Sequence, residues 1–444
     1  MQHLLQQTYP SRIDSMPVGI NNLLILFFLL IIIYVVISLI LDQKNKVEGF
    51  ISNIKDSKEY KAQFAKIRDR FEGKAGGKRP VNDLLKSISQ SDLPNEERCL
   101  VNFYALSTRF TGYLGPFENG FFDPDRAVDL AIKAGVRTFI LEIDYFESCK
   151  DPIFFPKLVV RDIRGRSMIN PESDVKCQTI STSYIRAVAS AITKYAFASY
   201  TQNRLDPVIV VIYGLRLPPL ENQLDYMSNI AKCLEPLVSY QVDSLMNKKY
   251  NRQSNEGSLL INNITDYEGR VLLFANMDTT MFRDKSVANK YKPKEDLDYL
   301  VNLRLAYRQS QLGCTCSLAS GSYGILDSVQ EIMNLPTGSI MQTMQDTKLK
   351  WTVALSKDPS VPVDEEIYKY VTEKIGVQCV PLLLWDDKNT FMFTDKRFAK
   401  YSFIPKPKNL RYIKPGIAVP AKPSPAMNAD GGKVIIGANP SMSK

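Results

Sequence analysis

Glu142 and Asp144 stand two residues apart in the run TFILEIDYF. Alternate residues of a strand point to one side, so both carboxylates would face the same way, as a cation site requires. The competing reading is that the pair caps the end of a sheet through hydrogen bonds. Other chemistry is scarce. The 444 residues hold one histidine, His3, in a polar leader, so no imidazole is available to the folded part as general base, acid or metal ligand. The seven cysteines (Cys99, Cys149, Cys177, Cys233, Cys314, Cys316, Cys379) contain no CxxC pair, which argues against a zinc site and a disulfide framework and fits reduced thiols. Cys314 and Cys316 form a lone CxC that reads as packing.

The elements that must position the carboxylates follow from patterning. Short apolar runs at Val101 to Leu106, Thr138 to Ile143, Val208 to Ile212, Arg270 to Ala275, Thr352 to Leu355, Val380 to Leu384 and Phe391 to Phe393 predict strands. Helical patterns lie between several of them, at Pro124 to Ala134, Ser183 to Ser199, Pro219 to Leu237, Asp296 to Leu312 and Asp364 to Ile375. Strands alternating with helices predict a parallel α/β fold, and their number suits a (β/α) barrel.

The N-terminal region reads differently. After a leader (1–22), residues 23–41, LLILFFLLIIIYVVISLIL, carry no charge. At 1.5 Å per residue such a helix crosses the roughly 30 Å hydrocarbon core of a bilayer. Lys44, Lys46, Lys55, Lys58, Lys61, Lys66, Arg68 and Arg70 follow it, against Arg12 before it. The positive-inside rule therefore places the C-terminal part on the cytosolic side, or on the interior side in a virion. Residues 42–80 form a juxtamembrane helix and linker, with Val47, Ile51, Ile54, Tyr60, Phe64, Ile67 and Phe71 at helical spacing. Residues 414–444 form a basic Pro- and Ala-rich tail, expected to be disordered. The formal charge of +9 favours anionic lipid headgroups, but spread over a chain of this length it makes no case for nucleic acid.

Six blocks, in order, resemble the X and Y halves of the phosphoinositide-specific phospholipase C barrel. They are NFYALSTRFTGYL (Asn102 to Leu114), AVDLAIKAGVRTFILEIDYF (Ala127 to Phe146), the segment from Val175 to Gly214, GRVLLFANMD (Gly269 to Asp278), VQCVPLLLW (Val377 to Trp385) and FAKYSFIPKPKNLRY (Phe398 to Tyr412). The resemblance implies a phospholipase C-like TIM-type barrel over 95–413. It also implies where that family's chemistry would fall: its first catalytic histidine at Phe110, the neighbouring asparagine at Thr111, the second histidine at Lys176 and an acidic ligand at Tyr213. Glu142 and Asp144 alone match the calcium ligands, a remnant that binds weakly at best.

These readings combine into an expectation. The chain is a single-pass membrane protein with a catalytically inactive phospholipase C-like barrel, acting as a structural or binding protein at a membrane. By analogy with barrels of large DNA viruses, this extends to a virion membrane or minor capsid component that contacts capsid or other membrane proteins. The alternatives are a divergent metal-dependent phosphodiesterase, with Lys176 or Arg109 facing the phosphate, and a non-catalytic module for anionic lipid.

Overall fold

The computed structural model describes residues 27–36, 57–72, 81–116, 120–147, 154–160, 178–242, 256–287, 290–308, 323–359, 361, 363–390, 398, 400–414, 426–427 and 434–435. The chain divides into two compact units, Met1–Lys66 and Ile67–Lys444, and the division falls within the helix Lys58–Glu72.

In the first unit, residues 27–36 are helical and their apolar side chains are exposed. Ten helical residues span about 15 Å, half of a bilayer core. Among the described residues no helix is long and apolar enough to cross a membrane, and the rest of the expected span lies outside them.

Among the described residues, the barrel of the second unit is built from β1 (Phe103–Ala105), β2 (Ser107–Thr108), β3 (Thr138–Glu147), β4 (Phe154–Leu158), β5 (Val208–Gly214), β6 (Val271–Ala275), β7 (Leu303–Tyr307), β8 (Gly324–Ser328), β9 (Trp351–Leu355) and β10 (Phe403–Pro405). Seven pair in parallel in the order β2-β3-β5-β6-β7-β8-β9. Residues 378–382 join the two ends. Cys379 bridges Val353 of β9 and Leu382 bridges Thr108 of β2, both in parallel, so the sheet closes on itself.

Strand composition explains the closure. VIVVIYG of β5 is buried along its whole length, as a strand covered on both faces must be. Ile209, Val211 and Tyr213 point inward and meet Leu272, Phe274, Leu303, Leu305, Leu326, Trp351 and Val353 in one core. Helices cover the outside, among them Pro124–Lys133, Gln178–Ala196 and Leu220–Cys233. The first is N-capped by Asp123 with proline in its first turn.

One expectation needs correction. Asp296 to Leu312 is not one helix: a single turn, Leu297–Leu300, gives way to β7. Asn302 makes the break, its backbone N–H reaching Leu273 O at 2.7 Å and its side-chain oxygen accepting from Leu273 N at 2.8 Å. Leu303, Leu305 and Tyr307 then alternate inward. Strands β4 and β8 lack a strong apolar run, and β8 opens on Gly324, where a Cβ would lie 2.6 Å from Arg304 O. Residues before 95 also pack against the barrel core. The helix Leu84–Gln90, capped by Asp83, sends Leu84 and Ile88 into the core, and its Leu84 N–H donates to Asp206 at 2.7 Å. In the expected tail, Ala426–Met427 pairs antiparallel with Val434–Ile435. The predicted strand at Phe391 to Phe393 lies outside the described residues.

At the foot of the barrel, where strands begin, two cations are fully enclosed. Arg137 donates to Ala196 O at 3.0 Å and to Asn203 O and Oδ1 at 2.6 and 2.8 Å. Burial lowers it to about 10 and lifts its neighbour Asp206 to about 6. Lys406 donates to Thr347 O at 2.8 Å. Burial, with Lys348 nearby, holds Lys406 well below the ordinary lysine value.

Candidate functional site

In parallel barrels, side chains at the C-terminal ends of strands form the functional mouth. Here β2 delivers Arg109 and Phe110, β3 Glu142 and Asp144, β5 Tyr213, β8 Asp327, and the residues after β6, β7 and β9 deliver Asn276, Arg308 and Ser356.

At the centre Arg109 Nε donates to Glu142 Oε1, and Arg109 Nη1 donates to Ser356 O at 2.8 Å. The arginine side chain is 2% exposed and the glutamate 0%. A carboxylate so buried needs a cation or a proton, and here a guanidinium supplies the charge. Asp144, on the rim, is held bidentate by Arg216 at 2.9 and 3.1 Å, and this hydrogen bonding raises the arginine's pKa. Because Arg216 is half exposed, that pair is worth only about 0–1 kcal/mol.

Phe110 sits in the left-handed region at φ 52°, an outlier for a bulky side chain that costs roughly 1–3 kcal/mol and persists only where its surroundings impose it. They do so here. Its carbonyl accepts from Tyr113 N at 3.0 Å, its ring lies 6.2 Å from Trp385, and the Arg109 guanidinium stands 4.8 Å from its centroid. Tyr113 meets Trp385 edge-on at 5.1 Å. Gly115, at φ 60°, is required because a Cβ would land 2.2 Å from the Trp385 ring. Thr111 spends its hydroxyl on Ile140 O at 3.1 Å. Tyr213 is fully buried and in register with Glu142. Asn276 binds Gly214 through both ends of its amide, at 2.7 and 2.9 Å, and Tyr307 OH at 3.0 Å. Lys176 lies outside the described residues.

Beside this plug lies a polar group that the sequence reading missed. Arg308 Nε stands 3.0 Å from Asp327 Oδ2, and its Nη1 reaches Asp346 and Thr343 at 3.1 Å. Asp327 also contacts Glu331 carboxyl to carboxyl. Burial and this neighbour lift Glu331 to about 7, and burial raises Asp327. The available signal was a carboxylate near the end of a strand directly before a helix, in GILDSVQE.

A calcium ion does not fit the positions the resemblance assigns it. Both remnant carboxylates already hold arginines, the third acidic position is Tyr213, and no group of three His, Cys, Asp or Glu able to hold a metal occurs among the described residues. A carboxylate engaged by its own guanidinium offers no open pair of oxygens to a six- to eight-coordinate cation.

No known protein family matches the sequence, and no curated protein matches it. Solved structures do match. PLC21 from L. pealei is similar over 72% of this chain at 13% identity and a TM-score of 0.45, and PLC21 from S. officinalis over 72% at 14% and 0.44. A calcium-dependent phosphatidylinositol-specific phospholipase C from Streptomyces antibioticus is similar over 69% of this chain and 99% of its own, at 9% identity and a TM-score of 0.40. The chain spans 39% of the length of each PLC21 structure.

Proposed function

We propose that this chain is a membrane-tethered barrel protein that performs no hydrolysis and serves as a binding or structural element at a membrane. The buried Arg109–Glu142 pair carries the reading. It fills the mouth with a neutralised ion pair where a phosphodiesterase needs an open cation and a proton-transfer group. Phe110 and Trp385 supply neither, and the chain's single histidine is His3. The tether rests on the uncharged run from Leu23 to Leu41, and the basic residues after it favour a bilayer with anionic headgroups. A position beneath a capsid, in contact with other membrane proteins, is the corresponding reading for a virion.

The full chain, reconstituted in vesicles containing phosphatidylinositol and its phosphates, is expected to release no inositol phosphate above the protein-free blank, with or without calcium. Calcium-dependent release that disappears in Glu142→Gln would overturn the proposal and favour a divergent metal-dependent phosphodiesterase.

A further inference from the structure

Among the described residues, two polar atoms near the plug find no hydrogen-bond partner although they are out of contact with solvent: Arg109 Nη2 and Asn389 Oδ1. One is a donor and the other an acceptor. Both residues are almost fully buried, at 3% and 1% exposure, and both line the same small cavity. Leaving a buried donor or acceptor bare is costly, so native proteins rarely do it.

The cavity's size and walls select its occupant. Its volume is about 10 Å³, the space of one water-sized centre and too little for a phosphate or a carboxylate. Pro381, Leu382 and the exposed Val361 contribute apolar lining, and Ser356, whose carbonyl accepts from Arg109, lines it too. The charge of Arg109 is matched by Glu142, so the cavity has no excess charge to attract an ion. We propose that it holds one buried water, which accepts from Arg109 Nη2 and donates to Asn389 Oδ1. This water ties the turn after β2 to the 3₁₀ turn Asp387–Thr390 and completes the hydrogen bonding of the guanidinium. The proposal rests on the geometry of the plug and is independent of whether the protein hydrolyses lipid.

A crystal structure of the full chain tests it. The expected result is one isolated density peak at hydrogen-bonding distance, about 2.7–3.2 Å, from both Arg109 Nη2 and Asn389 Oδ1. A second crystal soaked in bromide is expected to show no anomalous signal there. In Asn389→Leu, which removes the acceptor and fills the space, the peak is expected to vanish while the Arg109–Glu142 pair remains. An empty cavity, a direct Arg109–Asn389 bond or a bromide peak would each overturn the proposal.

Discussion

The two ends of the barrel both hold cations, most of them away from water, but they neutralise them differently. At the mouth, Arg109 meets Glu142, Arg216 meets Asp144, and Arg308 meets Asp327 and Asp346. At the foot, Arg137 donates to backbone carbonyls and an amide, with Asp206 nearby, and Lys406 donates to one carbonyl. Carbonyl dipoles satisfy hydrogen bonds without cancelling charge, so burial pulls a lysine so placed below its ordinary pKa. The mouth is thus a set of matched charges whose members depend on each other. At the foot, uncharged groups make most of the hydrogen bonds, so charge there is less fully cancelled and weighs on the fold.

The largest expected effect breaks the mouth. Arg109→Met leaves Glu142 buried without a counter-charge and should cost about 3–5 kcal/mol in denaturant unfolding. Arg109→Met with Glu142→Leu should recover most of that loss, because the uncompensated charge leaves with its partner. Equal losses in the single and double variants would show that the pair is not a matched unit.

The opposite sign is expected at the foot. Lys406→Met should stabilise the protein by about 1–4 kcal/mol, since a methionine fills a buried site without a proton to lose. Thr347 O remains satisfied by Gln378 Nε2 at 2.7 Å. Because the folded lysine is depressed, wild-type stability should rise as the pH approaches the ordinary value of 10.5, and the variant should lose that rise in thermal unfolding. Destabilisation by the substitution would mean that the lysine is charged and paired.

The smallest effect concerns Glu331, whose stem is accessible while its oxygens are buried. Its folded value of about 7 lies above the ordinary 4.5, so the folded state binds more protons between those values. Stability from this group is therefore complete below about pH 4.5 and lost as the pH rises through about 7. Arg308, Asp327, Asp346 and Lys357 set the local field. Glu331→Gln should flatten that segment of the unfolding profile, and an unchanged slope would remove Glu331 from the mouth's charge balance.

Much of the frame was legible because buried parallel strands leave long apolar runs, as in β5 and β6, and helices leave caps such as Asp123. Strand β7 was not. Its leucines fit both a helical and an alternating pattern, and only the contact of Asn302 with β6 decides between them. Glu142 could be found because it lies in a strand with a strong pattern, whereas its partner Arg109 is 33 residues away. That pairing exists only once β2 and β3 are in register, which no local spacing encodes. Arg308 and Asp327 escaped notice for the same reason, since both become neighbours only after β7 and β8 align.

The seam that closes the sheet sets a timetable. Thr108 donates its hydroxyl to Leu382 O across 274 residues of chain. At a ribosomal pace of about 5–20 residues per second, β2 is made roughly 14–55 s before its partner exists. Until then one side of β2 carries unpaired backbone groups and the interior of the sheet lies open. The segment that shuts the barrel emerges only after every strand of the closed sheet, so closure waits on residues 378–382.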